Sequence, residues 1–240
     1  MNSSFAQLYE AGKPVASEVA DLPTWEAKSG DFHHEVLRKF KATVLFVDVR
    51  RSTEIGSHVT DHHGDNCNAD LTMRFLEGCM AEIVRASGAT CQVSGDAVLA
   101  TIEGPDSVRR AVAGAHAAIR FVSGSFEPDN RGLLSCDGKC HVQNCFGTLR
   151  FEVRAGIDSG VIVESRLSTP YGDSRELVAS SVNLAAKLSG RVKHSNSIAI
   201  MEEAYRAAGH GQLSDYRWRH RCIKLGGRKR RILVTCPTRR

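Results

Sequence analysis

Apolar positions follow two rhythms along this 240-residue chain. Val44-Leu45-Phe46-Val47 is an unbroken apolar run, short enough to be a fully buried strand. Before it, residues 31–41 carry a short helical pattern, and residues 1–30 show mixed polarity with no sustained period. After Thr53 the period lengthens. Leu71, Phe75, Leu76, Cys79, Ile83 and Val84 recur at steps of three and four, which predicts a helix with one apolar face. That helix is interrupted near His63-Gly64-Asp65 and closed by Gly88. Two short apolar runs flank Ser94-Gly95-Asp96-Ala97, a hairpin signal with an acid at its tip. Gly104-Pro105-Asp106 opens another helix, and its Ala, Val and Ile content over 108–122 predicts close packing on a sheet. Residues 123–148, rich in Gly, Ser, Asp and Cys, read as a polar insertion.

Strand patterns resume at 150–158 and, past a turn at Ser159-Gly160, at 161–164. A polar loop over 168–174 leads to a helix from about Glu176, with Leu177, Val178, Val182, Leu184, Ala185 and Leu188 apolar. A strand at 197–200, a short helix at 202–208 and two strands around 218–225 and 230–235 complete the chain. This order predicts an α+β fold: a ferredoxin-like βαββαβ core with a mostly antiparallel sheet and helices on one face. Residues 1–40 read as an N-terminal extension and 41–240 as one domain, with neither an internal repeat nor a linker.

No apolar stretch approaches the ~20 residues of a membrane span. The first ten residues lack the basic start and apolar run of a secretion signal, so the protein is expected in the cytoplasm with no membrane partner. Eight cysteines then stay as thiols. Cys67, Cys79 and Cys91 fall on apolar positions and read as small core residues. Cys136, Cys140, His141 and Cys145 lie close enough to suggest a metal cluster, but the spacing is not that of paired zinc modules, and a loop with incidental thiols is the alternative. His58, His62 and His63, interspersed with acids, read as solvated.

The net charge of +5 is uneven: from Arg217 to Arg240 there are ten Lys or Arg residues and no acid. Nucleic acid or membrane contact is one reading of such a run. The expected one is a solvated strand pair that favours an anionic substrate, since no aromatic-rich stretch accompanies the charge. No nucleic-acid partner is expected.

The candidate chemistry begins with two acids. Asp48 ends the first strand, and the polar turn after it, ending Ser52-Thr53, suits a helix start whose free N–H groups hold phosphate. Asp96 sits at the hairpin tip. If the hairpin lies beside the first strand, the two carboxylates converge, as a pair of divalent cations on a triphosphate requires.

At four stations the chain resembles the catalytic domain of class III nucleotidyl cyclases, over roughly residues 41–235. The segment 46–53 (Phe-Val-Asp-Val-Arg-Arg-Ser-Thr) is similar to the family's first metal strand and phosphate loop, and Ser94-Gly95-Asp96 to its second metal site. Segment 154–160 resembles the strand before the dimer-facing segment, and Val182-Asn183 with Lys187-Leu188 resembles the helix carrying catalytic polar groups. The resemblance implies conversion of a nucleoside triphosphate to a 3′,5′-cyclic nucleotide and pyrophosphate. Asp48, the Val49 carbonyl and Asp96 would hold two Mg²⁺ or Mn²⁺ ions. Arg51, Ser52, Thr53 and Lys224 would meet the substrate phosphates, Asn183 would orient the ribose, and Lys187 would meet charge on the phosphate. It also implies a homodimer with shared active sites, metal aspartates from one subunit and the asparagine helix from the other.

The chain departs from the family at two places. Lys187 stands where Arg is usual, which keeps the charge and loses the planar fork; Arg191 is one turn further on. At the base-reading positions Gln92 and Glu176 match neither purine pair, and Arg50-Arg51 replaces a smaller turn. Such residues in a compact cyclase resemble the pyrimidine cyclases of bacterial Pycsar anti-phage defence. The implied product is cyclic UMP or cyclic CMP acting on a separate effector protein, with Arg50, Gln92 and Glu176 reading the base. The alternatives are an adenylate cyclase and a catalytically weak nucleotide-binding regulatory domain.

Overall fold

A seventeen-residue strand, β1 (His33–Val49), runs through the middle of the sheet. In the computed structural model, residues 33–125, 151–169, 172–192, 194–209, 213, 216–225 and 227–235 are described. After β1 come α1 (Ser52–His63) and α2 (Asp65–Ser87), then β2 (Thr90–Ser94), β3 (Ala97–Glu103) and α3 (Ser107–Arg120), which ends in a π-helical turn (Phe121–Ser125). Next are β4 (Val153–Thr169), β5 (Gly172–Val178), α4 (Ser180–Arg191), β6 (Ser197–Met201), α5 (Glu202–Ala208), β7 (Trp218–Leu225) and β8 (Arg228–Thr235).

The strands form one sheet in the order β2-β3-β1-β4-β6-β8-β7, with β5 added on β4. Every described pairing is antiparallel except β4 with β6. The first four strands, with α1–α2 and α3 as crossovers, make the expected ferredoxin-like unit.

Alternation along β1 sets the layers. Leu45, Val47 and Val49 point into the main core with Phe75, Leu76, Cys79 and Ile83 of α2 and Ala111, Val112 and Ala115 of α3. Each large side chain buried there contributes ~1.5–3 kcal/mol. Ala42 and Val44 point the other way, into a smaller cluster with Leu99, Ile162 and Ala185 of α4. The expectation of helices on one face is therefore corrected: α2, α3 and α5 cover one side, and α4 crosses to the other. Gly156 on β4 permits this crossing, because a Cβ there would meet the Ala185 carbonyl at 2.0 Å.

The α2 pattern held at Leu71, Phe75, Leu76, Cys79 and Ile83, which are buried, and Gly88 closes the helix at φ 63°, but Val84, read as part of the same face, is exposed. Cys67 and Cys79 are buried thiols and Cys91 is half-buried. Burial pushes Cys79 up to about 12 and Cys91 up to about 11, so both stay protonated and inert.

Three local expectations fail, each for a visible reason. Residues 33–41 are strand, not helix. Their partner is the second half of β4, and a bulge between Val36 and Arg38 shifts the alternation so that apolar positions mimic a helical step. Ser159-Gly160 is not a turn; β4 runs straight through it, and Gly160 is a packing glycine under Ser181 of α4. The chain reverses instead between Thr169 and Gly172, where φ is 136°. Finally, the segment around Glu176 is strand β5, paired to β4, and the helix starts only at Ser180. The Cys136–Cys145 cluster and residues 1–32 lie outside the described residues, and no described helix is long and apolar enough to cross a membrane.

Candidate active site

Asp48 stands at the end of β1, directly opposite Ala97 of β3 on one side and Arg154 of β4 on the other. Asp96 occupies the β2–β3 turn, next to Ala97. The hairpin thus lies beside β1, and the two carboxylates come together. Burial raises the Asp48 carboxyl above its ordinary value. The Arg154 guanidinium pulls it down, the charge of Asp96 raises it further, and a hydrogen bond from the Val49 backbone lowers it. Arg154 donates from a terminal nitrogen to Asp48 Oδ2 at 3.1 Å. Its Nε is buried and finds no acceptor among the described residues.

Two carboxylates and the Val49 main chain make an all-oxygen donor set, which suits Mg²⁺ or Mn²⁺. The Arg154 guanidinium already lies against Asp48, in keeping with a spot that attracts a cation. Among the described residues no cluster of three or more His, Cys, Asp or Glu exists, so further ligands have to come from substrate, main chain or water. The residues present fit a divalent cation.

Beside Asp96 opens a cleft of about 460 Å³. One wall is α1, with Ser52, Thr53, Gly56 and Thr60; the other is α2, with Asn68 and Thr72. Arg51 precedes α1 in the left-handed region at φ 61°, and its side chain does not cap the first N–H groups of the helix. Its guanidinium pairs with Glu54. Ser52 and Thr53, the expected phosphate contacts, line this cleft. Gly56, Thr60, Asn68 and Thr72 were missed, although hydroxyls and glycine recurring at helical spacing from Ser52 to Thr60 were a visible signal.

The other candidates are spread out. Gln92 lies opposite Leu99, which faces Phe46, so it shares the sheet face of Asp48. Glu176 is exposed on β5, opposite Ser165. Strands β3, β1 and β4 separate it from Gln92, so one chain does not join the two. Arg50 is held elsewhere: its guanidinium donates to Glu152 at 3.2 Å and also to Ser195. Asn183 and Lys187 are exposed on α4, and Lys224 is exposed on β7 opposite Lys229. Arg154, which the sequence offered only as part of a motif, proves to be the immediate neighbour of Asp48.

Solved structures share this architecture. The adenylyl cyclase CyaB from P. aeruginosa superposes with a TM-score of 0.62 at 21% identity, over 85% of this chain and 97% of that one. The fold is that of class III nucleotidyl cyclase catalytic domains. The guanylate cyclase domain of RhGC from Catenaria anguillulae, solved with GTP, has the same cyclase fold at a TM-score of 0.61 and 18% identity, covering 83% of this chain and 98% of that one. A rhodopsin-guanylyl cyclase core with converted specificity, bound to ATPαS, matches at 0.59 and 18%, over 85% of this chain and 97% of that one. No protein-family model matches the sequence, and no curated protein does so by sequence.

Proposed function

We propose that this protein is a nucleotidyl cyclase acting on a pyrimidine nucleoside triphosphate, UTP ahead of CTP and ATP third. One observation carries the cyclase reading: on a cyclase fold, Asp48 lies within electrostatic reach of Asp96, and Asp96 lines a hydroxyl-rich cleft fronted by the N-terminus of α1. The ribose 3′-hydroxyl releases its proton to solvent as its oxygen attacks the α-phosphorus in line and the bond from that phosphorus to pyrophosphate breaks. Asp48, the Val49 carbonyl and Asp96 would hold Mg²⁺ or Mn²⁺, which supplies a lowered pKa at the 3′-hydroxyl and neutralises phosphate charge. Backbone N–H groups and hydroxyls of Ser52 and Thr53 receive the triphosphate. The rest is positioning and electrostatics.

Asn183 and Lys187 face solvent on α4 and serve a second copy of the chain, Asn183 orienting the ribose and Lys187 meeting charge on the phosphate. Two such copies form a C₂ homodimer with two equivalent sites. Lys224 and its exposed basic neighbours on β7 and β8 add attraction for the anionic substrate.

The pyrimidine preference rests on Gln92, whose amide donates and accepts on the face of Asp48, as a uracil edge of carbonyls and N–H requires. Glu176 joins it only in a site completed by another chain. Arg50 joins only by leaving Glu152. A cyclic pyrimidine nucleotide made this way would be a signal in antiviral defence, read by a separate effector protein. A second reading, a catalytically weak nucleotide-binding regulator, is favoured by Lys187 lacking the guanidinium fork.

Incubating the pure protein with each of the four nucleoside triphosphates and Mn²⁺, and identifying the product, tests all of this. Cyclic UMP or CMP as the fastest product supports the proposal. ATP or GTP turned over faster than both pyrimidines at equal concentration rejects the base assignment, and no cyclic product from any of them leaves the regulator.

A further inference from the structure

Arg154 occupies the place that a metal on Asp48 would need. The two residues are direct register partners across β1 and β4, so their Cα atoms are fixed relative to each other by the sheet. Two residues along, Gly156 is clamped beneath α4, which leaves β4 no room to slide. Their side chains are 19% and 22% exposed, so the pair is largely shielded from water and outweighs an ordinary surface ion pair. Arg50, the other guanidinium at this end of the sheet, is already engaged by Glu152 and Ser195. Among the described residues, Arg154 is the one cation paired with Asp48.

The guanidinium is nevertheless poorly seated. A buried Nε with no acceptor carries the full cost of an unmade hydrogen bond. Attraction to the Asp48 carboxylate holds it there against that cost.

We propose that Arg154 is a resident counter-cation of the metal site, neutralising Asp48 when no metal is bound and yielding that carboxylate when one arrives. The proposal rests on the reading of Asp48 as a metal ligand. It has a functional consequence. Free metal must compete with an internal cation and binds weakly on its own. A nucleoside triphosphate gives the displaced guanidinium phosphate oxygens to pair with, so metal and nucleotide bind cooperatively.

The test is Mn²⁺ binding to the full-length protein without nucleotide, read by calorimetry and by the EPR signal of free Mn²⁺. Arg154→Met removes the charge and keeps the length; we expect binding about tenfold tighter than wild type, the scale of one charged hydrogen bond. Arg154→Lys keeps a competing cation and should bind as wild type does. A purely structural arginine would give equal or weaker binding in Arg154→Met, and that result overturns the proposal. If Arg154→Met does not fold, Arg154→Gln carries the same expected tightening. Asp48→Asn separates the two layers of the argument. Loss of Mn²⁺ binding in that variant supports the site, whereas undiminished binding sinks the metal assignment itself.

Discussion

Replacing Gly156 by Ala should disable the protein from a position that touches no substrate. The added Cβ would lie 2.0 Å from the Ala185 carbonyl oxygen and 2.8 Å from the Ser189 nitrogen, where real contacts stay above 3.0 Å. Both obstacles are backbone, so no side chain can swing aside. Helix α4 has to back away from β4 by roughly 1 Å at the Ala185 turn, the shortfall between the two values. Overpacking of this kind costs about 1–3 kcal/mol of stability. The helix carries Asn183 and Lys187, and a displacement of about 1 Å at a positioned group lowers turnover by about 10²-fold. Urea unfolding followed by circular dichroism reads the first effect; initial rates of cyclic nucleotide formation read the second. The rate loss should exceed what the folded fraction explains. A variant with wild-type stability and wild-type rate would refute the placement of α4 against β4, and with it the role of Gly156.

Asp48→Ala and Asp96→Ala should each abolish product formation; Asp96→Ala should leave the thermal transition in place because it relieves repulsion, whereas Asp48→Ala should lower it by leaving the shielded Arg154 guanidinium unpaired; near-native activity in either would end the two-metal assignment. Mixing inactive Asp96→Ala with inactive Asn183→Ala should restore part of the activity if sites are shared, and no recovery after proven subunit exchange would mean self-contained monomers. Asp158 is 7% exposed, and burial pushes its carboxyl up to about 6 from 3.8, with Glu203 adding and Ser159 and Arg230 opposing. The folded state therefore holds this proton more tightly, and stability falls as pH rises from 3.8 through 6. Asp158→Asn should gain up to about 3 kcal/mol over wild type at neutral pH and almost nothing near pH 4, so a pH-independent difference between the two would rule this out.

The fold was legible where burial alone decides the pattern. The run through Leu45 and Val47 was legible because both its faces are buried, and the α2 stripe because one face meets the core; the Ser94–Ala97 hairpin was legible from its flanking apolar runs. It was not legible where the arm of β1, β4 and β5 leaves the core. There Val36 and Val178 are exposed, the Val36–Arg38 bulge breaks the alternation, and pairing is held by Arg38, Glu164 and Arg175 across strands. Cross-strand ion pairs leave no periodic trace in a single sequence. The site divides in the same way. Asp48 and Asp96 end strongly patterned strands and were placed by them. Arg154 looked like an ordinary strand residue until the register set it opposite Asp48, and the engagement of Arg50 by Glu152 depends on contacts more than a hundred positions apart in sequence.

The register of β1 also governs which molecules are worth counting. Val47 and Val49 lie in the main core on one side, and Asp48 between them emerges on the other. A slip of one residue against β3 and β4 would carry Asp48 into that core and expel both valines. Such a chain forfeits its apolar burial and strands a charge, so it is lost to unfolding and does not persist as a well-folded dud. The core thereby proofreads the carboxylate. In a preparation of this protein, the fraction that unfolds cooperatively and the fraction with a correctly aimed Asp48 should be the same fraction.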